Sequence, residues 1–287
     1  MLALLAALTL HAPAVAQKRI ALTFDDAPRG RGAFLSPQQR AVRLVAALKT
    51  AKVRQAAFFV NPGNLATEDG KKGEAQLARY VAAGHVIANH SFSHPALTDR
   101  SADEYLADID RADAWLRQRA GFRPWFRFPF LNEGRADKAK RDAVRAGLAA
   151  RGLRNGYVTA DGYDWLLEQL TLDARRAGKR IDRKALRQLY VETHVEAAEF
   201  YDGLALRATG RSPAHVMLMH ETDLAALYLP DLVKALRKRG WTIVSADEAF
   251  ADPVAASAAS VDVPSAQGTL TEALAWAKGL PAPRWYE

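Results

Sequence analysis

Short apolar runs and longer amphipathic segments alternate along the 287 residues of the chain. The short runs are rich in β-branched and aromatic residues, which is typical of buried strands. The longer segments carry apolar residues three and four positions apart, such as Val42, Val45 and Leu48, and this spacing predicts helices. Seven runs are predicted as strands: Ile20–Phe24, Ala56–Val60, Val86–Ala88, Trp125–Phe128, Gly156–Thr159, Val216–Met219 and Trp241–Val244.

Capping signals mark several of the predicted helix boundaries. Ser36 followed by Pro37 predicts a helix start, because serine caps the first free N–H groups and proline fits the first helical position. Ser101 with Glu104 has the spacing of a capping box. Gly152 stands where a helix is expected to end.

Strands that alternate with helices predict an α/β fold in which parallel strands are covered by helices. About seven such units predict a distorted, incomplete (β/α)7 barrel, one unit short of the common eightfold barrel. The segment 166–209 is too long for a single crossover connection. It is predicted to be a helical insertion before the sixth strand, with two helices, the second beginning near Asp182.

The two ends of the chain differ from this α/β domain, which is predicted to span residues 17–250. The apolar run Leu2–Leu10 and the small residues Ala14-Val15-Ala16 predict a signal peptide over residues 1–16, with a first buried helix as the alternative. A signal peptide implies a secreted, periplasmic or cell-envelope protein without stable membrane insertion. Residues 251–287 are rich in Ala, Ser, Val and Pro at first and are predicted to form a flexible segment ending near Gln267, followed by a short helix over 270–278.

Composition restricts the chemistry that is available to the chain. It contains no cysteine, so that a metal site must use His, Asp or Glu. The formal net charge of +8 suits an anionic partner such as an acidic cell-wall polymer, although a generally basic proteome would explain it equally well. Lys and Arg are scattered and do not alternate with aromatic residues, which argues against nucleic acid as a partner.

Residues able to catalyse a reaction or bind a metal follow the ends of the predicted strands. In a parallel barrel the carboxyl ends of the strands meet on one face, where barrel enzymes place their active sites. We therefore expect side chains that are distant in sequence to converge there. They are Asp25, Asp26, His90, His94, Arg127, Asp161, Asp164 and His220.

The histidine pair and the adjacent aspartates are the candidates for a metal site. His90 and His94 are four residues apart, and on a helical turn this spacing places both rings on one face. Asp25 and Asp26 must point in different directions, so that one can bind a cation while the other accepts a proton. Surface or capping histidines and a solvated Asp-Asp loop are the alternatives.

The remaining candidates have structural interpretations beside the functional ones. His220 ends an apolar strand and is either a core histidine or a general acid. Arg127 lies between aromatic residues and requires carboxylate partners if it is buried. Trp165 either walls an apolar pocket or belongs to the core. His194 lies within a predicted helix, where we expect it to be exposed.

Taken together, these residues resemble the polysaccharide deacetylases with a NodB homology domain, carbohydrate esterase family four. The resemblance extends from about residue 18 to 248 and rests on five short motifs in the family's order. Each motif alone is weak, but five in order are specific. They are Thr23-Phe24-Asp25-Asp26, His90-Ser91-Phe92-Ser93-His94, Arg127-Phe128-Pro129-Phe130, Asp164-Trp165 and Leu218-Met219-His220.

The resemblance implies a site and a reaction. Asp26, His90 and His94 would hold a divalent metal, usually zinc, with Co²⁺ or Ni²⁺ as alternatives. Asp25 would be the general base and His220 the acid that protonates the departing amine. The remaining implied roles are oxyanion binding by the backbone N–H of Phe130, orientation of the base and acid by Arg127 and Asp164, and an apolar acetyl pocket formed by Trp165 and Leu218.

The resemblance thus predicts a metal-dependent hydrolase that removes N-acetyl groups from an amino-sugar polysaccharide, either peptidoglycan or a chitin-like glycan. Two alternatives keep the fold: hydrolysis of O-acetyl esters or small amides at the same metal site, and a catalytically silent glycan-binding protein. The silent protein is disfavoured because base, acid and all three ligands are present. Phe130 replaces the family's usual tyrosine, and the insertion at 166–209 bears on which glycan is bound.

Overall fold

The main sheet contains a central strand that runs from Arg19 to Ala27 and is buried over most of its length. The computed structural model describes residues 17–280, so the predicted signal peptide lies outside the described residues. The strands are β1 Arg19–Ala27, β2 Ala57–Val60, β3 Val86–Asn89, β4 Phe122–Phe126, β5 Asn132–Arg135, β6 Arg154–Asn155, β7 Ala160–Asp161, β8 Ala214–His220, β9 Thr242–Ile243 and β10 Ala266–Gln267.

Helices connect these strands and cover the sheet. Within residues 17–280 no helix is both long enough and apolar enough to cross a membrane. The helices are α1 Pro37–Thr50, α2 Gly73–Ala82, α3 Ala102–Leu116, α4 Lys138–Ala150, α5 Asp164–Arg176, α6 Arg183–Thr209, α7 Asp223–Lys238, α8 Ala246–Phe250, α9 Ala255–Ala258 and α10 Leu270–Ala277.

Parallel pairing organises the main sheet, whose order is β6-β4-β3-β2-β1-β8-β7, with β9 beside the start of β1. The apolar side chains of β1 alternate between two cores: Ile20, Leu22 and Phe24 face α1 and α7, whereas Ala21 faces the side covered by α8. The prediction of a curled, incomplete barrel of parallel strands with outer helices is confirmed. The crossover helices place the carboxyl ends of the strands in this sheet at one edge.

The helix boundaries follow the capping signals. Ser36 accepts a hydrogen bond from the N–H of Gln39, whose side chain binds back to the backbone of Ser36, and α1 begins at Pro37. Ser101 and Glu104 form the predicted capping box of α3. The insertion contains α5 and α6, and Asp182 caps α6 as expected.

The prediction of a regular strand over Gly156–Thr159 is wrong. Two short strands, β6 and β7, flank these residues instead. The guanidinium of Arg127 explains the difference, because it donates to the carbonyl oxygens of Gly156 at 2.7 Å and Tyr157 at 3.4 Å. These carbonyls are therefore not available for a continuous strand ladder.

The segment after Phe250, predicted to be flexible, packs against the domain in this structure. Val254 and Ala258 are buried against Phe250 and the sheet. β10 pairs with β5 in an antiparallel ribbon that the sequence pattern did not predict. α10 packs along α6 through Ala275. The division of the chain at residue 250 stays a prediction.

Candidate active site

The carboxyl ends of β1, β3 and β8 bring the candidate residues together. β1 and β8 are in register so that Asp25 lies directly opposite His220. β3 ends at Asn89, and His90 follows immediately. The convergence expected from the strand pattern therefore exists, and it joins segments nearly 200 residues apart in the sequence.

Asp26, His90 and His94 form a cluster with the geometry of a metal site. One potential ligand atom from each residue lies within 4.8 Å of the other two. The Nε2 atoms of His94 and His90 are 3.1 and 3.5 Å from Oδ1 of Asp26. The Nδ1 atom of His90 lies 2.9 Å from the carbonyl oxygen of Arg127. Because a carbonyl only accepts, Nδ1 carries a proton, and Nε2 is the ring nitrogen that faces the cluster.

Left-handed backbone conformations aim these ligands. Asp26 and His94 have φ angles of 65° and 58°, which are rare for residues other than glycine. The loop that carries His94 is held from α3, where Asp108 accepts hydrogen bonds from the backbone N–H groups of Phe92 and Ser93 at 2.8 and 3.0 Å. The strained loop that carries His94 is thus supported by hydrogen bonds from α3.

Asp25 is buried and paired with Arg127. The Oδ1 atom of Asp25 lies 2.6 Å from Nη1 of Arg127, and both side chains are almost inaccessible to water. Burial lowers the pKa of Arg127, although the charge of Asp25 opposes this shift. The same Nη1 donates to Thr23 at 2.8 Å, and the guanidinium lies 3.8 Å from the ring centroid of Phe59. Arg127 therefore fixes the carboxylate of Asp25 in one orientation.

His220 is held in the same way by Asp164. Asp164 accepts hydrogen bonds from Nδ1 of His220 at 2.8 Å and from its backbone N–H at 2.7 Å. Burial alone would lower the pKa of His220, but the charge and the hydrogen bond of Asp164 raise it to about 9. His220 is therefore protonated on both ring nitrogens at neutral pH.

Most of the predicted site residues line one pocket of about 490 Å³, and this volume is typical of ligand pockets. Arg127 and Asp164 are buried behind it. Trp165 is 43% exposed, so its interpretation as a core tryptophan is wrong. The predicted residues that line the pocket are Asp25, Asp26, His90, His94, Phe130, Asp161, Trp165, Leu218 and His220.

Arg29 is a pocket residue that the sequence analysis missed. Its Nη1 atom lies 2.6 Å from Oδ2 of Asp26, on the carboxylate oxygen that does not face the histidines. Burial acts to raise the pKa of Asp26, but His90, His94 and Arg29 together hold it well below its usual range. The only feature of the sequence that indicated an ion pair was the spacing of the two residues, since Arg29 comes three positions after Asp26.

His194 is buried, and the expectation that it would be exposed is wrong. It belongs to the apolar stripe of α6, four residues after Tyr190 and four before Ala198. Its ring packs on the backbone of Gly162, where an added Cβ would collide with it. Burial lowers the pKa of His194, so the ring is neutral, and its Nδ1 donates to the carbonyl of Tyr190 at 2.6 Å.

Comparison with known proteins agrees with this geometry. The family model described as polysaccharide deacetylase matches residues 12–150. The resemblance to the polysaccharide deacetylases is confirmed. The chain is 32% identical to a chitin deacetylase of Colletotrichum lindemuthianum over 39% of its own length, and 34% identical to a peptidoglycan-N-acetylglucosamine deacetylase of Bacillus cereus over 40%.

These sequence matches cover only 42% and 36% of the two relatives. The solved structure of the chitin deacetylase from Colletotrichum lindemuthianum superimposes with a TM-score of 0.59, covering 83% of this chain and 89% of that one at 20% identity. At this identity the likeness establishes the fold, which this chain shares with polysaccharide deacetylases well beyond the part matched by sequence.

Proposed function

We propose that the protein is a metal-dependent hydrolase that removes N-acetyl groups from an amino-sugar polysaccharide, either peptidoglycan or a chitin-like glycan. The observation that carries this proposal is the convergence of Asp26, His90 and His94 beside Asp25 and His220 in a single pocket. The names of the similar proteins supply the substrate class. Two of them are deacetylases of chitin and of peptidoglycan N-acetylglucosamine.

The three clustered side chains fit a divalent cation. Two imidazole nitrogens and one carboxylate oxygen are the donor set that zinc favours, and it leaves positions for water and substrate. Oδ1 of Asp26 is buried and accepts no hydrogen bond within the described part of the chain. Such an atom is costly unless a cation or another partner faces it. A bound Zn²⁺, Co²⁺ or Ni²⁺ would polarise the acetyl carbonyl and make water more acidic.

Asp25 is proposed as the general base. Arg127 occupies one of its carboxylate oxygens, and the other, Oδ2, faces the cluster 3.6 Å from Nε2 of His90. That oxygen can accept a proton from the water that attacks the acetyl carbon. General bases of this kind accelerate reactions by about 10²- to 10⁴-fold. The backbone N–H of Phe130 is proposed to bind the oxyanion.

His220 is proposed as the general acid. Its Nδ1 is bound by Asp164, so that Nε2 is the atom able to give a proton to the departing amine. When the C–N bond breaks, the amine nitrogen takes this proton and acetic acid leaves with the water oxygen, giving its own proton to solvent. The base gains one proton and the acid loses one, and transfer between solvent and the two residues completes the cycle.

The walls of the pocket suit a small acetyl group and a sugar. Leu218 is buried at its floor and Trp165 is half exposed at its side. Phe130 is exposed at the rim with its ring centroid 4.6 Å from that of His94. Apolar floors bind methyl groups, and exposed aromatic rings pack against the faces of sugar rings. We propose that Trp165 and Leu218 bind the acetyl methyl.

The place of action is proposed to be outside the cytoplasm. The predicted signal peptide and the net charge of +8 support a secreted, periplasmic or cell-envelope protein acting on a wall polymer. Comparing the mass of the mature protein from culture supernatant or periplasm with that of residues 17–287 tests this proposal. Retention of the full-length chain in the cytoplasm would contradict it.

Acetate release from N-acetylglucosamine oligomers tests the reaction. The purified protein is assayed after chelation and again after stoichiometric Zn²⁺, and we expect release only with metal. Asp25→Asn should lower turnover at least about 100-fold while metal remains bound, because the base is lost and the three proposed ligands are kept. Asp231→Asn, on the exposed face of α7, is the matched control. Release from O-acetylated xylan but not from the oligomers would favour an esterase instead.

A further inference from the structure

The C-terminal segment reaches the catalytic pocket and contacts the proposed oxyanion-binding residue. We call residues 266–272 the C-terminal wall. Within it, the side-chain amide of Gln267 donates to the carbonyl of Phe130 at 3.4 Å. The N–H of Gly268 donates to the carbonyl of Leu131 at 3.2 Å. Gln267 is itself held by Arg135, whose Nε donates to its Oε1 at 2.8 Å.

The two residues that receive these hydrogen bonds have unfavourable backbone conformations. Phe130 and Leu131 have φ angles of 58° and 48°. Bulky residues adopt this left-handed region at an energetic cost and keep it only when the surrounding structure enforces it. The wall binds both carbonyl oxygens and therefore restrains the Phe130–Leu131 and Leu131–Asn132 peptides. These two peptides follow the N–H of Phe130 in the chain, so that fixing them fixes the left-handed backbone of Phe130 on its carboxyl side.

The C-terminal wall is firmly attached to the domain on its other side. The N–H of Leu270 donates to the carbonyl of Val158 at 2.7 Å, and the hydroxyl of Thr271 donates to the carbonyl of Thr159 at 2.8 Å. Glu272 accepts hydrogen bonds from the hydroxyl of Tyr201 in α6 and from the N–H of Thr269, each at 2.7 Å.

The wall also forms part of the pocket surface. Gln267, Gly268, Thr269 and Glu272 line the same pocket as the metal cluster. Gly268 has a φ of 111°, and an added Cβ would collide with Glu272. A side chain at this position would therefore displace the carboxylate of Glu272 from the pocket lining.

We propose that the C-terminal wall is an integral part of the active site, in which Gln267 is a positioning residue: it holds the Phe130–Leu131 peptide and thereby the left-handed backbone of Phe130, whose N–H is proposed to bind the oxyanion. This inference rests on the proposed function of Phe130. It assigns a role to residues that lie outside both the family match at 12–150 and the predicted domain at 17–250.

Gln267→Glu isolates the contact. Glutamate keeps the size of the side chain and its bond to Arg135, but it has no N–H to donate and places a negative charge near the carbonyl of Phe130. The matched control is Gln188→Glu, an exposed glutamine of α6 whose side-chain amide donates to Glu192. Both variants are loaded with Zn²⁺ and compared with wild type in kcat, KM, zinc affinity, Tm and hydrogen–deuterium exchange of the peptide over 126–136.

We expect Gln267→Glu to lower kcat about tenfold, less than the complete loss of an oxyanion donor. KM for short oligomers, zinc affinity and Tm should stay within about twofold or a few degrees of wild type, and exchange at Phe130 and Leu131 should accelerate several-fold. Gln188→Glu should match wild type in every measurement. Unchanged kcat and exchange, or a loss carried by KM alone, would overturn the proposal.

The exchange measurement separates the two proposals. Wild-type protein that fails to release acetate would refute the proposed function, whereas the exchange at Phe130 would still report whether Gln267 restrains it. Faster exchange without any catalytic loss in an active protein would refute the positioning role alone. Gly268→Ala, which displaces Glu272, is a second variant should Gln267→Glu fold poorly.

Discussion

Replacing Arg127 with methionine tests whether the pair behind the pocket is as tightly coupled as its geometry indicates. Methionine retains much of the volume but removes the charge and every donor. Asp25 would then be a buried carboxylate without its partner, and the carbonyls of Gly156 and Tyr157 would lose their donors.

The expected magnitude follows from this burial. Asp25 and Arg127 are only 4% and 1% exposed at their side chains. Breaking a buried pair by removing one partner costs about 3–5 kcal/mol, because the remaining charge is uncompensated. That is a large share of the roughly 5–15 kcal/mol that stabilises a typical domain.

Urea unfolding followed by circular dichroism, at pH 7 with chelator present, measures the loss. The control is Arg151→Met, since the pair of Arg151 with Asp110 is equally short at 2.6 Å but exposed to solvent, and exposed pairs contribute about 0–1 kcal/mol. Arg127→Lys, which keeps the charge without the fork of donors, should fall between wild type and Arg127→Met.

Adding Asp25→Asn to Arg127→Met should recover part of the loss, because the uncompensated charge is then absent. A loss for Arg127→Met that equals that of Arg151→Met would refute the reasoning. A double variant no more stable than Arg127→Met alone would show that the lost carbonyl contacts, and not the charge, dominate.

Three further predictions concern single residues. His94→Ala should abolish zinc binding in titration calorimetry together with activity, and an active metal-free variant would exclude the proposed site. In the wild type, kcat/KM should fall on the alkaline side near pH 9, where His220 loses its second ring proton. Asp164→Asn should move this fall to lower pH, because the charge that raises the pKa of His220 is gone. If the fall does not move, another residue is the acid. His85 has its pKa lowered to about 4 by burial. In the unfolded chain His85 binds a proton below about pH 6.5, whereas in the folded protein it stays neutral down to about pH 4. The contribution of neutral His85 to the free energy of unfolding is therefore complete above about pH 6.5 and is lost as the pH falls toward 4. The loss is about 2 kcal/mol at about pH 5. His85→Asn should remove this dependence in urea titrations, and an unchanged slope would contradict it.

The site could be predicted from the sequence wherever the strand pattern alone decides the position. Asp25 and His220 were placed together because each follows an apolar run, and parallel strands end at one edge. The register of β1 with β8 puts them directly opposite each other. The same argument brought His90 to the cluster, since it follows β3. Periodicity was sufficient here because it indicates which segments are buried strands and where each of them ends. In a parallel sheet the carboxyl ends of the strands lie at one edge, so the residues that follow them are close together.

The errors arise where polar contacts decide the structure. Gly156–Thr159 has the composition of a strand, but the side chain of Arg127 occupies its carbonyl groups. The pairing of β5 with β10 depends on short polar runs that have no alternating pattern. His194 is different, because its position in the stripe of Tyr190 and Ala198 was visible and the polar ring was given too much weight. A stripe position indicates burial even when its residue is a histidine.

A buried network explains how the two halves of the proposed chemistry keep their relative position. Arg40 of α1 donates to the carbonyls of Arg29 and Gly30 at 2.5 and 2.8 Å, in the loop that follows Asp26. Its guanidinium also lies 3.5 Å from Glu221, the residue after His220, and Glu221 accepts from the N–H of Arg29 at 2.7 Å. The segment that carries the metal ligand and the segment that carries the acid are thus bound to one buried cation. The pairing of β1 with β8 sets Asp25 opposite His220, and this network holds together the two segments that continue beyond the paired strands.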